Sequence, residues 1–374
     1  MIKLAIIRQQ YRPDGGAERF VSRALELLSQ RSELDVSIVS RQWLSDASSP
    51  FHSISCNPPK RGRISKERDF NQKALQILAE NNFDIVQSHE RIPGCTLYRA
   101  GDGVHREWLN QRARILSPLA RWWQERDPYH RYVLNTEREM FTHPELRAVI
   151  CNSQMVKNDI LRHFDIDPAK LHVIYNGVDT SIFNPNVTSF RVEYRQRFGI
   201  PAEAPCLLFV GSGFLRKGLM CVLRAMAESP RKDLHLIVVG RDKQQRQYQH
   251  FCEKHRFANR IHFVGVQKDV RPYYGAADVL VHPALYDPFP NVIWEALACG
   301  LPIITSSSCG GAELIEHGAP GLVIDALDHK ALSLHFEPLR EARERQAPNL
   351  IDHISDTSLE QCLLQLYRNI ANHA

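Results

Sequence analysis

Eleven short apolar runs recur along the 374-residue chain, and their spacing limits its fold more than any other feature. Five fall in the first half: Met1–Arg8, Asp35–Ser40, His52–Cys56, Asp84–Ser88 and Ala148–Asn152. Six fall in the second: Cys206–Val210, Leu234–Val239, Ile261–Val264, Val279–His282, Ile303–Ser306 and Leu322–Ile324. Helical patterns separate them, among them an amphipathic stretch over Ala17–Ser29. Alternation of this kind predicts the α/β class, with parallel sheets covered by helices on both faces. The length is sufficient for two domains with a core each. Ligands of such sheets bind at the carboxyl ends of the strands, so chemistry is expected in the loops that follow the runs.

Composition removes several function classes. No run of eighteen apolar residues exists, and the start, an apolar strand bearing Lys3 and Arg8, is not a signal peptide. Nine cysteines lie scattered without a CxxC pair or metal-ligand spacing, and the odd number argues against a disulfide framework. A cytoplasmic protein is the expectation. The net charge of +5 lies wholly in the first half, where Met1–Tyr175 holds 26 Lys and Arg against 21 Asp and Glu. That excess is too mild for a nucleic-acid binder and suits an anionic lipid surface.

The loops carry the candidate chemistry. Asp287-Pro288-Phe289-Pro290 is stiffened by its prolines, and Pro290 suits the first position of a short apolar helix over Asn291–Cys299. Gly300 fits the left-handed stop, and Leu301–Ile304 opens a buried strand. Free amides of Asn291, Val292 and Ile293 would donate to phosphate or sugar oxygens, and Glu295 could accept two vicinal hydroxyls. The plainer reading of Glu295 is a surface residue on an ordinary helix. Gly211–Gly218 places Arg216 and Lys217 after glycines at a helix start, where they can neutralise a diphosphate or simply form a solvated turn. Gly15-Gly16 lets a phosphate approach the backbone or makes a tight turn. His89, Glu90 and Gly101-Asp102-Gly103-Val104-His105 fall on the crevice side of the first sheet, and the flanking glycines make Asp102 the stronger candidate. Arg106–Arg131 holds six arginines, three acids and Trp108, Trp122 and Trp123. Such a segment suits an anionic membrane interface or an ordinary helical pair with solvated arginines. Lys60-Arg61-Gly62-Arg63 adds a short basic loop.

Tyr286–Asn291 with Glu295–Pro302 resembles the signature of retaining glycosyltransferases of family 4, an acid-x7-acid pattern before a CG-x-P turn. The first acid is usually Glu in that family and is Asp287 here. The resemblance extends through Asp14–Gly16, His172–Asp179 and Ser212–Gly218 to Gly321, and is strongest toward bacterial lipopolysaccharide inner-core transferases. It implies the GT-B fold: two Rossmann-like, doubly wound domains facing a central cleft. Residues 1–170 would bind the acceptor, with 106–131 as a membrane-contact segment. Residues 171–350 would bind the nucleotide sugar, and 351–374 would return as a helix to the first domain.

It also implies roles. Arg216 and Lys217 would clamp the diphosphate, Glu295 the ribose, and the loop at Asp287 the donor sugar. Gly15, Gly16, Gly213, Gly240, Pro290, Asn291 and Val292 would line the nucleotide sugar, with Val266 holding the base through its backbone. Asp102 would lie near the sugar and the incoming acceptor, and the acid Glu313 would support the fold. The reaction implied is transfer of glucose or galacturonic acid from a UDP-sugar to a heptose of the lipopolysaccharide core. It would proceed with retention, without a metal or other cofactor, on the inner face of the cytoplasmic membrane. A non-hydrolysing UDP-sugar epimerase and a catalytically silent scaffold are the rival classes.

Overall fold

The structure, a computed structural model, describes residues 1–9, 33–42, 51–335 and 356–372. Gly15, Gly16 and the helix expected over Ala17–Ser29 lie outside the described residues. The chain divides into two compact units, Met1–Asn176 with Asp356–Ala374, and Gly177–Ser355.

The first unit is built on β1 (Ile2–Ile7), β2 (Leu34–Ser40), β3 (His52–Ser55), β4 (Ile85–Ser88), β5 (Leu97–Arg99), β6 (Ala148–Cys151) and β7 (Leu171–Val173). They form one sheet in the order β3-β2-β1-β4-β5-β6-β7, every pair parallel. Its helices are α1 (Arg63–Glu80), α2 (His105–Ala113), α3 (Pro118–Arg126), α4 (Pro128–Phe141) and α5 (Gln154–His163). The strands β5 and β7 were not expected from the apolar runs, being only three residues each. The expected domain boundary at Leu171 would detach β7 from β6, with which it pairs; the first unit extends to Asn176. The 106–131 stretch is not one helix. Ser117-Pro118 and Asp127-Pro128 each start a new helix, the Ser117 and Asp127 side chains accepting from Ala120 N and Tyr129 N.

Alternation decides which helices cover which face. Leu4 and Ile6, with Val36, Ile38 and Ile85, pack against Leu359, Leu363, Leu364, Tyr367 and Ile370 of the C-terminal helix, Asp356–Asn372. Ile7, Val39, Val86 and Tyr98 meet Phe70, Ala74 and Ile77 of α1, Met140 and Phe141 of α4, and Val156 and Ile160 of α5. Period-two strands therefore give the sheet two apolar faces.

The second unit holds β8 (Cys206–Val210), β9 (His235–Val239), β10 (Ile261–Gly265), β11 (Val279–His282), β12 (Ile303–Ser306) and β13 (Gly321–Ile324). Its helices are α6 (Arg191–Arg197), α7 (Leu219–Glu228), α8 (Gln245–Lys254), α9 (Arg271–Ala276), α10 (Asn291–Ala298), α11 (Ala312–Glu316) and α12 (His329–Leu334). The sheet runs β10-β9-β8-β11-β12-β13, again all parallel. The strand after Gly300 spans Ile303–Ser306, the bounds of its apolar run, with Leu301 and Pro302 leading into it. Buried Asp278 anchors this unit: its carboxylate accepts from Arg191 Nη2 at 2.6 Å, Arg195 Nη2 at 2.7 Å and Cys206 N at 2.8 Å.

Leu363 is buried against the first sheet, so Leu363→Ala should destabilise that unit by about 2–5 kcal/mol. Hydrogen exchange should accelerate in β1 and β4 and stay unchanged in β8–β13. Equal acceleration in both units would show that the helix is not a private part of the first core.

Candidate active site

In the second sheet β8 and β11 are neighbours, and strand order reverses between them. The loops leaving their carboxyl ends therefore diverge from one point, where open α/β sheets hold their ligands. One loop is Gly211–Gly218 and the other runs from Pro283 to Pro290. They are stitched by Leu285 N donating to Arg216 O at 2.8 Å. Gly218, at φ 80°, permits the contact, since a Cβ there would lie 1.9 Å from Pro283 O.

This geometry brings Arg216, Lys217 and Asp287 together. Lys217 Nζ lies 3.3 Å from Asp287 Oδ2, and Arg216 Nη1 lies 3.7 Å from Oδ1. Arg216 also donates to Tyr286 O at 3.3 Å. Asp287 is 6% exposed, and its backbone bridges to the loop after β12 through Asp287 N to Ser308 O and Gly310 N to Asp287 O. Burial opposes ionisation of Asp287, but Lys217, Arg216 and His282 outweigh it and hold the carboxyl well below the usual carboxylate range.

His282, fully buried at the end of β11, completes the cluster with Nε2 3.2 Å from Asp287 Oδ2. Burial, helped by Lys217, lowers its pKa to about 4, so at neutral pH it is uncharged and donates to Asp287 through Nε2–H. Among the described residues its buried Nδ1 has no hydrogen-bond partner. One carboxylate faced by two cations leaves one net positive charge among these side chains, a site that attracts an anion.

Glu295 sits one turn into α10 and is buried, accepting from Tyr274 OH at 2.8 Å. It is not the exposed residue of the plainer reading. Pro290 caps α10 in an extended conformation, φ −77° and ψ 126°, one position ahead of the first-turn place expected for it. Asn291 and Val292 open the helix, whereas the Ile293 amide, expected to be a free donor, is spent on Pro290 O at 3.1 Å. Gly300, at φ 76°, ends the segment as expected.

The remaining loops of this edge are tied to one another. Gly211 N donates to Val239 O, Gly240 N to Gly265 O, and Gly213 N to Arg241 O. Gly240 has φ 127°, and a Cβ there would stand 2.3 Å from Gly211 O. Asp242 accepts from Phe214 N at 2.8 Å and thereby fixes the loop that carries Arg216. Gly213 has φ 77°, and Val266, just after β10, is 48% exposed. Glu313 is buried in α11.

In the first unit Asp102 is exposed after β5. His89 is buried and belongs to a structural chain, Tyr367 OH to Gln87 Oε1 at 2.7 Å and Gln87 Nε2 to His89 Nε2 at 2.9 Å. Glu90 accepts from Gln9 N at 2.9 Å, and burial pushes its pKa up to about 7. Leu119, Trp122 and Trp123 of α3 are 68%, 44% and 62% exposed, and the Arg126 guanidinium stacks 4.1 Å over Trp122. Among the described residues no helix is long and apolar enough to cross a membrane.

His282 and Tyr274 were missed by sequence reasoning. His282 ends an expected strand at the β8/β11 reversal, and that position was its one available signal. Tyr274 reaches Glu295 from α9, twenty-one residues earlier, and no local pattern links the two.

Known proteins share this architecture. The family described as Glycosyltransferase Family 4 matches residues 14–182, and that described as Glycosyl transferases group 1 matches residues 190–348. The chain is 27% identical over 325 residues to the lipopolysaccharide glucosyltransferase WaaG of Escherichia coli K12, covering 86% of this chain and 84% of WaaG. A WaaG crystal structure superposes with TM-score 0.81 at 25% identity, over 97% of this chain and 99% of that one. HepE from Anabaena, solved with UDP-glucose, shares the fold with TM-score 0.73 at 18% identity, over 99% and 100% of the chains. The chain belongs to the GT-B glycosyltransferases, with a family 4 domain followed by a group 1 domain.

Proposed function

We propose that this glycosyltransferase is a retaining hexosyltransferase that moves glucose or galacturonic acid from a UDP-sugar to a heptose of the lipopolysaccharide inner core. The observation that carries the reading is the meeting of Arg216, Lys217 and Asp287 at the strand reversal. Its chemistry is that of an anion site, in a chain similar over most of its length to a lipopolysaccharide glucosyltransferase.

A diphosphate with about two negative charges would take Arg216 and Lys217 as counterions, with Asn291 and Val292 amides adding donors. Gly213 and Gly240 would let the backbone come close. Glu295 would hold the ribose and Val266 the base. Asp287, steadied by His282, would meet the sugar hydroxyls, and Asp102 would lie toward the acceptor. As the anomeric C–O bond breaks, the leaving diphosphate oxygen takes the proton of the acceptor hydroxyl attacking on the same face. Configuration is thereby retained, and the cations stabilise the charge left behind. No metal or other cofactor enters the proposal.

UDP release across a panel of UDP-sugars, with and without heptose-bearing core lipid, tests the reaction. Release that needs the acceptor is expected. Interconversion of the UDP-sugar without acceptor would favour an epimerase instead.

The two acids should separate. Glu295→Gln should weaken UDP itself by roughly ten- to a hundredfold, as a lost bond to a charged group does. Asp287→Asn should leave UDP affinity nearly intact and impair transfer. Calorimetric titration of UDP into both variants decides it, and the reverse pattern would reverse the two roles.

We also place the enzyme peripherally on the inner face of the cytoplasmic membrane, through α3. Its exposed Leu119, Trp122 and Trp123 lie in a helix bearing Arg121 and Arg126, where each cation near an anionic surface is worth about 1 kcal/mol. Replacing Arg121, Trp122 and Trp123 together should weaken sedimentation with anionic vesicles. Unchanged sedimentation of the folded variant would leave α3 as plain surface.

A further inference from the structure

The loop after β5 is held with unusual completeness. Glu137 of α4, fully buried, accepts from His105 N with both oxygens, at 3.2 and 3.1 Å. Arg91 donates from Nε to Glu137 Oε1 at 2.9 Å and from Nη2 to Gly103 O at 3.3 Å. The backbone on the carboxyl side of exposed Asp102 is therefore clamped at Gly103 and His105.

The His105 ring is fixed as well. Arg112 Nη1 lies 3.3 Å from His130 Nε2, and His130 Nδ1 lies 3.1 Å from His105 Nε2. A guanidinium can only donate, so His130 must present a lone pair at Nε2 and carry its proton on Nδ1. That proton goes to His105 Nε2, which must then be the acceptor, so His105 keeps its own proton on Nδ1. Burial lowers the pKa of both rings, that of His105 to about 3, and keeps them in the neutral form this chain requires. Among the described residues His105 Nδ1 takes part in no hydrogen bond, and neither does the Asp102 carboxylate. A donor at the first residue of α2 and an acceptor three residues before it, whose charge acts on the His105 ring, form a pairing that recognises a sugar hydroxyl.

We propose that His105 is a substrate-contacting residue whose Nδ1–H donates to an oxygen of the acceptor sugar beside Asp102, in the tautomer imposed by Arg112 through His130. Arg112 and His130 are positioning residues for that donor. The assignment rests on the sugar-acceptor reading given above.

Two-bond 1H–15N correlation spectra of the full chain with labelled histidine read the tautomers directly. Both His105 and His130 are expected as Nδ1–H forms, and Arg112→Met should convert His105 to a mixture. An Nε2–H His105 in the unmodified chain, or tautomers indifferent to Arg112→Met, overturns the assignment. Kinetics with UDP-glucose and heptose-bearing core lipid supply the second readout. His105→Gln places its amide near the Nε2 position and should raise acceptor KM about three- to tenfold, with donor KM unchanged. His105→Asn places its amide near Nδ1 and should raise acceptor KM clearly less than His105→Gln does. Equal behaviour of the two amides overturns the contact. Absence of any transfer by the unmodified chain to this acceptor would overturn the functional reading and the contact with it. The spectra separate that failure from a wrong tautomer.

Discussion

A carboxylate buried as deeply as Asp287 stays ionised only where cations reach it, and both cations come from a different loop. The two loops can meet because β8 and β11 are adjacent and the order of strands reverses between them. Much of the site follows from that one arrangement. Gly218 must be glycine so that the first loop can pass Pro283, and Asp242 must grip Phe214 N so that the loop keeps its shape. His282 must be neutral, because a third positive charge in the same buried cluster would face Lys217 and Arg216. The cluster is thus a locked charge arrangement in which Asp287 is held between both cations.

The first unit solves a different problem with similar means. Its strand ends carry buried polar side chains that would be costly if left unpaired. Gln87, His89 and Tyr367 satisfy one another across the sheet and the C-terminal helix, while Glu137 and Arg91 satisfy the loop behind Asp102. The Arg91 and Glu137 contacts end on the backbone of Gly103 and His105, which fixes that loop.

Most of the fold was legible because parallel strands buried on both faces write themselves as apolar runs. Cys206–Val210, Val279–His282 and Ile303–Ser306 have the bounds their sequences suggest. The three-residue strands Leu97–Arg99 and Leu171–Val173 were not legible, since so short a run has no period to detect. Arg216, Lys217, Asp287 and Glu295 stood out as charges in apolar or glycine-rich surroundings. Partners arriving from other elements did not: Tyr274 beside Glu295, Glu137 beside His105, and Arg112 beside His130 are joined only by the folded chain. The Ile293 amide shows the opposite failure, a donor that helix geometry promises and a local turn has already used.

The C-terminal helix covers the face of the first sheet formed by Leu4, Ile6, Val36, Ile38 and Ile85, yet it follows Gly177–Ser355 in the chain. On the ribosome, domains generally fold in the order they emerge. Here Leu4, Ile6, Val36, Ile38 and Ile85 emerge well before the helix that packs on them, which follows the whole second unit. During that interval the nascent chain offers a sheet surface of leucine, isoleucine and valine to whatever else is nearby. The unit that starts first therefore finishes last, and the protein's dependence on chaperones should be concentrated in that delay.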